Sequence, residues 1–254
     1  MMTPVLPATL LEMKRAGRQI AALTAYDYPT ARLLDEAGID IILIGDSLGM
    51  VVLGMPDTTE VTLDDIIHHT RPVARAVRRA LVVSDLSIGS YEGVDSAVAS
   101  ARRLMEAGAQ VVKLEGALTS EIAAIAAEGI PVMAHLGMLP QHVREEGGYR
   151  VKGKSEEDAA RLVREAIAVE NAGACAIVLE LIVPAVARQI SEAIAIPTLG
   201  IGAGKECDGQ ILVTHDVIGF YPWFTPKFAT VRADVAAQIT QAARDYIAAV
   251  AEGK

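Results

Sequence analysis

Polar residues stand at the ends of five successive apolar runs in this sequence, where an ordinary buried strand has no use for a charge. They are Asp46, Ser47, Asp85, Lys113, Glu115, His135 and Glu180. Lys113 and Glu115 are two residues apart, so on a strand both side chains point to the same side of the sheet. Several carboxylates and one lysine are therefore expected to converge at one place.

Three of these acids, Asp46, Asp85 and Glu115, have the chemistry of a metal site. Carboxylates held close together repel each other unless a proton or a cation compensates their charge. With few histidines and no cysteine nearby, the ligands are hard oxygens, which suit Mg²⁺ and leave positions for water or substrate. The alternative is that these acids pair with lysines or arginines in a salt network.

Glu180 and His135 are candidates for moving a proton. Glu180 is flanked by apolar residues on both sides, and desolvation would raise its proton affinity and make it a better base near neutral pH. The alternative is an ion pair with Lys113. His135 is expected to face the lumen of a barrel or its mouth, either as a satisfied core histidine or as a substrate contact that shuttles protons.

The elements that must position these residues repeat along the chain. Short apolar runs alternate with amphipathic helical stretches, and several helices close on a glycine that leads into the next strand. Repetition of this unit about eight times favours an α/β fold of the (β/α)₈ TIM-barrel type over a doubly wound sheet. The apolar runs are 20–26, 41–47, 81–86, 111–116, 132–137, 176–181, 198–204 and 211–217.

In such barrels the active site lies at the carboxyl ends of the strands. We expect one domain over residues 1–254, beginning with a short helix. The long loop at 138–154 is a candidate lid. The aromatic segment 220–228 is expected to contact a pterin or a partner subunit, or to form a local hydrophobic plug.

Composition limits the partners. A net charge of −9 argues against nucleic acid, and no apolar run is long enough to span a bilayer. The two cysteines, Cys175 and Cys207, form no CxxC pair, which fits a reducing cytoplasm. The charge does not identify the substrate, because a metal can supply positive charge locally.

Beyond these patterns, the chain resembles the ketopantoate hydroxymethyltransferase family over nearly its whole length. The resemblance includes GDSLGM at 45–50, VKLEG at 112–116, GGYRVKG at 147–153 and AIPTLGIGAG at 195–204. The shorter segments TAYDY, AHLG, VLE, DGQILV and PKFA also match, and the whole set occurs in the same order as in the family. The sequence departs from the family pattern at 86–91, after Glu180, and at 220–229.

The resemblance implies a Mg²⁺-dependent enzyme of pantothenate synthesis. It would transfer a one-carbon unit from 5,10-methylenetetrahydrofolate to 3-methyl-2-oxobutanoate and release 2-dehydropantoate. By position, Asp46, Asp85 and Glu115 match the metal acids, and Ser47 and Lys113 match substrate contacts, with Asp46 and Asp85 also beside the substrate. Glu180 matches the catalytic base. The resemblance also implies a homo-oligomer, with a decamer as the expected size.

Two other enzyme classes remain open at this point. One is a Mg²⁺-dependent lyase or mutase of the phosphoenolpyruvate mutase and isocitrate lyase type, which usually employs a reactive cysteine on a mouth loop. The other is an aldolase that forms a Schiff base on Lys113. A barrel that binds without catalysis is a third class, against which the intact acids speak.

Overall fold

Strands and helices alternate along residues 3–253, the part of the chain that this computed structural model describes. The strands are β1 Ile20–Thr24, β2 Ile41–Ile44, β3 Leu81–Asp85, β4 Val111–Glu115, β5 Val132–Gly137, β6 Ala174–Glu180, β7 Thr198–Ile201 and β8 Gly209–Leu212. The α-helices are α1 Pro7–Arg15, α2 Tyr28–Glu36, α3 Leu48–Val51, α4 Leu63–Ala76, α5 Val94–Ala107, α6 Thr119–Ala127, α7 Glu156–Asn171, α8 Pro184–Ala193, α9 Thr214–Val217 and α10 Val235–Ala251. A short 3₁₀ turn, Pro140–His142, follows β5.

The eight strands form a closed barrel in chain order. Neighbouring strands are parallel, and the register pairs Asp85 with Lys113 and Glu115 with His135. It also pairs Gly137 with Glu180. The TIM-barrel prediction and its short first helix are therefore confirmed.

Two separate apolar layers show which side of each strand faces the lumen. One buried cluster fills the lumen and includes Leu81, Val111 and Leu199, with Leu10 and Met13 of α1 packed against it. The other lies between strands and helices and includes Val112 and Leu114. Lys113 and Glu115 alternate with the second pair, so their predicted orientation toward the lumen is confirmed.

The helix ends follow local rules. The predicted glycines after α2, α5, α6 and α7 all adopt a positive φ, from 76° to 107°, a conformation that other residues rarely take. At the other end of two helices a hydroxyl caps the first turn. Thr62 accepts from the Asp65 N–H at 3.2 Å and Ser155 from the Asp158 N–H at 3.1 Å.

The chain forms two compact units with a boundary between Ile211 and Leu212, and a single domain over 1–254 stays a prediction, whose first two and last residues lie outside the described range. The second unit contains α9 and α10, and α10 has no buried residue among those described. Trp223 is 80% exposed, which does not fit a hydrophobic plug. No helix within residues 3–253 is both long and apolar enough to cross a membrane.

The last strand begins and ends earlier in the chain than the sequence pattern predicts. The apolar run 211–217 reads as a strand, but β8 covers Gly209–Leu212 and pairs with β7 through Gly209 and Gln210. His215 therefore lies on the short helix α9 and stacks on Phe220 with ring centroids 5.1 Å apart.

Candidate active site

The polar residues singled out in the sequence come together at the carboxyl ends of the strands. Six of the seven are at least nine-tenths buried: Asp46, Asp85, Lys113, Glu115, His135 and Glu180. Ser47 is half-buried. Burial of this many ionisable groups in one place is costly, and such clusters mark functional sites.

Asp85 is tied at both oxygens. Its Oδ1 accepts from the Lys113 ammonium and its Oδ2 accepts from the Asp46 backbone N–H at 3.1 Å. Burial alone would lower the pKa of Lys113, but the charges of Asp85, Glu115 and Asp46 raise it above its usual value. The raised pKa favours the charged form of Lys113, whereas a Schiff-base aldolase needs a neutral amine.

Asp46 and Glu115 each hold a free oxygen. Asp46 Oδ2 and Glu115 Oε1 are buried and accept no hydrogen bond from the described residues. Burial, and then the charge of Asp85, raise the pKa of Asp46 to about 7. Burial, and then the charge of Asp46, raise the pKa of Glu115 well above its usual value. The charge of Lys113 opposes both shifts but does not cancel them, so the two carboxylates are only partly compensated.

His135 stands between two acids on neighbouring strands. Its Nδ1 is 3.4 Å from Glu115 Oε1, and its Nε2 is 3.3 Å from Glu180 Oε2. Burial, and then the charge of Lys113, lower the pKa of His135 well below its usual value, so the ring is neutral near pH 7. A neutral imidazole in this position can accept a proton on one nitrogen and donate from the other.

Glu180 has the properties of a base that works near neutral pH. Burial raises its pKa to about 8, against the opposing charge of Lys113. Its backbone is held closely, because a Cβ on Gly137 would lie 2.2 Å from the Glu180 carbonyl oxygen. Leu181, the next residue, has φ 47°, the one positive φ among the described residues other than glycine. The sharp turn after Glu180 is typical of a constrained functional site.

Sequence reasoning missed the side chain that contacts Ser47. The Tyr26 hydroxyl lies 2.8 Å from Ser47 Oγ, and the Tyr26 carbonyl oxygen lies 2.6 Å from His69 Nδ1. His69, on α4, thus holds the loop after β1. The TAYDY segment was a visible signal, but nothing in its spacing says which residue it contacts.

Sequence reasoning also missed Tyr91 and Gln141, which lie on the loops after β3 and β5. Gln141 is 1% exposed, and its backbone N–H donates to Glu115 Oε2 at 3.1 Å. The Tyr91 hydroxyl donates to Gln141 Oε1 at 2.6 Å. Both residues lie outside the strands and outside any periodic pattern.

The cysteines do not supply a nucleophile. Burial raises the pKa of Cys175 to about 12, and burial also raises the pKa of Cys207. Neither thiol therefore has the low pKa that a reactive cysteine needs. The chain therefore lacks, among these two residues, the reactive cysteine that lyases and mutases of the alternative class usually employ.

The candidate metal acids are not arranged as a finished ligand set. Within residues 3–253 no group of three or more His, Cys, Asp and Glu side chains has the geometry of a metal site. Lys113 takes one oxygen of Asp85, which leaves Asp46 and Glu115 with the free oxygens.

Solved structures with the same fold include a phosphomutase and a hydrolase. The phosphoenolpyruvate phosphomutase of Streptomyces platensis subsp. rosaceus has a TM-score of 0.66 and 16% identity, covering 98% of this chain and 88% of its own. A phosphonopyruvate hydrolase has a TM-score of 0.64 and 15% identity over 97% and 87%. At this identity the likeness shows the fold alone.

Sequence comparison identifies the family. A family model described as ketopantoate hydroxymethyltransferase matches residues 5–254. A protein of Thermoanaerobacter sp. (strain X514) named 3-methyl-2-oxobutanoate hydroxymethyltransferase is 52% identical over 89% of this chain and 84% of its own length. One of the same name from Ignicoccus hospitalis is 47% identical over 96% and 94%. This chain belongs to the ketopantoate hydroxymethyltransferase family, whose members are one-carbon transferases.

Proposed function

We propose that the chain converts 3-methyl-2-oxobutanoate to 2-dehydropantoate, with 5,10-methylenetetrahydrofolate as the one-carbon donor, as a step of pantothenate synthesis. The observation that carries this proposal is the convergence of one buried cation and four buried acids at the barrel mouth. Relatives about half identical to this chain bear the name of this reaction.

Mg²⁺ is proposed as the bound metal, with Asp46, Asp85 and Glu115 as the residues that would hold it. The free oxygens Asp46 Oδ2 and Glu115 Oε1 fit a hard divalent cation. A cation would also compensate the repulsion that raises the pKa of both acids. When bound, it supplies Lewis-acid polarisation of the keto group.

Lys113 and Ser47 orient the substrate. The Lys113 ammonium, charged and buried, is suited to bind the carboxylate or the developing enolate oxygen of a 2-oxo acid. Ser47 Oγ, held by the Tyr26 hydroxyl at 2.8 Å, supplies a further hydrogen bond to the same substrate. Each group is fixed before the substrate arrives, so little reorganisation is needed.

Glu180 removes the proton from C3 of the substrate. Its raised proton affinity makes the carboxylate a stronger base than an exposed glutamate. His135 Nε2 lies 3.3 Å from Glu180 Oε2 without a hydrogen bond between them, so the neutral ring forms one wall of the space around the base. Water replaces one C–N bond of the donor's methylene group by C–OH and leaves its proton on the released nitrogen. The electron pair of the broken C3–H bond then forms the C–C bond with this carbon as the second C–N bond breaks, and the proton taken from C3 ends on the second nitrogen of tetrahydrofolate.

The test separates the proton transfer from the one-carbon transfer. Deuterium exchange at C3 of 3-methyl-2-oxobutanoate is followed by proton NMR in D₂O, with Mg²⁺ and without folate. Glu180→Gln is expected to lower the exchange rate about 10²–10⁴-fold, since it keeps the shape and removes the base. Glu145→Gln, an exposed acid on the 138–154 loop, is the matched control and is expected to exchange like the wild type.

Three results would contradict the proposal. Absence of exchange in the wild type, or unchanged exchange in Glu180→Gln, would refute the role of Glu180. Exchange that proceeds normally, with no 2-dehydropantoate formed when the folate donor is added, would leave the enolisation in place and refute the assigned transfer.

A further inference from the structure

Two loops of the barrel mouth meet behind Glu115, the last residue of β4. Tyr91 comes from the loop after β3 and Gln141 from the 3₁₀ turn after β5. Tyr91 is 6% exposed and Gln141 is 1% exposed, so water cannot replace the contacts between them. Buried polar groups of this kind must be satisfied within the protein.

Both ends of the Gln141 side chain are fixed. Its Oε1 accepts from the Tyr91 hydroxyl at 2.6 Å, and its Nε2 donates to the Leu86 carbonyl oxygen at 2.9 Å. A side-chain amide bonded at both ends has one orientation, which anchors the backbone of the 3₁₀ turn. In the turn so anchored, the Gln141 N–H points at Glu115.

Glu115 is therefore held by one of its two oxygens. Oε2 accepts from the Gln141 N–H at 3.1 Å, whereas Oε1 has no hydrogen-bond partner in the described part of the chain. A carboxylate tied on one side presents the other oxygen in a fixed direction. Groups that orient a metal-binding carboxylate in this way typically contribute 10- to 100-fold to metal affinity.

We propose that Tyr91 and Gln141 form a clamp of positioning residues, which aims the free oxygen of Glu115 at the divalent cation. This inference rests on the proposed function, in which Glu115 holds the metal. It also makes the start of the 138–154 loop part of the metal site, because the turn that begins this loop carries the N–H that holds Glu115.

The test measures Mg²⁺ affinity by calorimetry, without substrate. Tyr91→Phe removes only the hydroxyl and is expected to raise the Mg²⁺ dissociation constant 10- to 100-fold. Gln141→Asn, which keeps the amide but shortens its reach, is a second variant with the same expected direction. In a Glu115→Gln background Tyr91→Phe is expected to add much less, because most of the effect passes through Glu115 and only the hydrogen bond of the Gln141 side chain to Asp46 remains.

A matched control separates positioning from general loss of stability. Thr70→Val removes another buried hydroxyl, which donates to the Ile66 carbonyl oxygen at 2.8 Å and lies 2.9 Å from Ser84 Oγ. It is expected to lower the melting temperature and leave Mg²⁺ affinity unchanged. In the metal-free protein, hydrogen exchange of the backbone N–H of Gln141 is expected to be faster in Tyr91→Phe and unchanged in Thr70→Val.

The outcomes are distinguishable. If the wild type binds Mg²⁺ and the dissociation constants of Tyr91→Phe and Gln141→Asn both stay within twofold of the wild-type value, the clamp alone is overturned. The clamp is also overturned if Tyr91→Phe loses as much Mg²⁺ affinity in the Glu115→Gln background as it does in the wild type. Unchanged exchange of the backbone N–H of Gln141 in Tyr91→Phe overturns it as well. A wild type that binds no Mg²⁺ overturns the metal part of the proposed function and this inference with it.

Discussion

The two ends of the barrel lumen are equally buried but chemically opposite. At the floor, which is the amino-terminal end, Ile20, Ile41 and Leu81 are at most 1% exposed and pack with α1. At the mouth, Asp85 and Glu115 are also only 1% exposed. Burial of apolar groups stabilises the fold, whereas burial of charges costs free energy unless they are paired. The apolar residues at the floor therefore stabilise the fold, and this stability offsets the free energy that the buried charges at the mouth cost.

The largest expected effect on stability comes from breaking the ion pair at the mouth. Lys113→Met leaves Asp85 buried beside other acids without its cation, which costs about 3–5 kcal/mol of unfolding free energy. Urea unfolding of the metal-free protein measures this loss. Adding Asp85→Asn to Lys113→Met is expected to restore much of the stability but no activity.

Lys152→Met is the control for this prediction. Lys152 pairs with Glu146 and is less buried, with 23% of its side chain exposed. Its loss is expected to cost less than 1 kcal/mol, as for exposed pairs. Equal losses in Lys113→Met and Lys152→Met would show that the mouth pair is not special.

A cavity at the floor is expected to affect stability and leave chemistry intact. Leu81→Ala removes a fully buried side chain from the lumen cluster and is expected to cost about 2–5 kcal/mol. The turnover number, measured well below the melting temperature, is expected to match the wild type. The exposed Leu33→Ala is the control, with little change in either quantity. A large loss of turnover in Leu81→Ala would mean that floor and mouth are coupled.

The pH dependence of stability gives a smaller effect with a definite sign. Asp46 and Glu180, with pKa values raised to about 7 and 8, hold protons in the folded state that the unfolded chain has already released. The folded state therefore binds more protons above the unfolded pKa values, and stability falls as pH rises toward 7 and 8. Between pH 6 and 7 the metal-free protein is expected to lose roughly 2 kcal/mol.

Thermal unfolding in EDTA across this range, compared with unfolding in Mg²⁺, measures the effect. Mg²⁺ is expected to raise the melting temperature more at pH 8 than at pH 6, because a cation competes with protons for the acids. Asp46→Asn is expected to flatten the metal-free profile. A metal-free protein that becomes more stable from pH 6 to 8 would contradict the pKa directions assigned to the mouth.

Much of the mouth could be predicted because strand periodicity decides which side chains face the lumen. Lys113 and Glu115 follow this rule, and the parallel register then sets them beside Asp85 and His135. The mutual contacts could not be predicted, since alternation gives a side and no distance. That Lys113 takes an oxygen of Asp85, leaving Asp46 and Glu115 with free oxygens, is visible only in three dimensions.

Loop residues lay beyond sequence reasoning for a different reason. Gln141 and Tyr91 are 50 residues apart and belong to no strand or α-helix, so no period connects them. The sequence pattern predicts the final strand in the wrong place because a short apolar run such as 211–217 fits a strand or a helix equally well. In the structure the strand ends at Leu212 and a helical turn begins at Thr214.

The position of Trp223 has an optical consequence. It is the single tryptophan of the chain and is 80% exposed, in the unit that begins at Leu212. The intrinsic fluorescence of an isolated subunit therefore comes from an indole in water, with emission at the long-wavelength end of the range. If a second copy covers this residue in the expected homo-oligomer, dilution moves the emission maximum to longer wavelength, and subunit association becomes readable without a label.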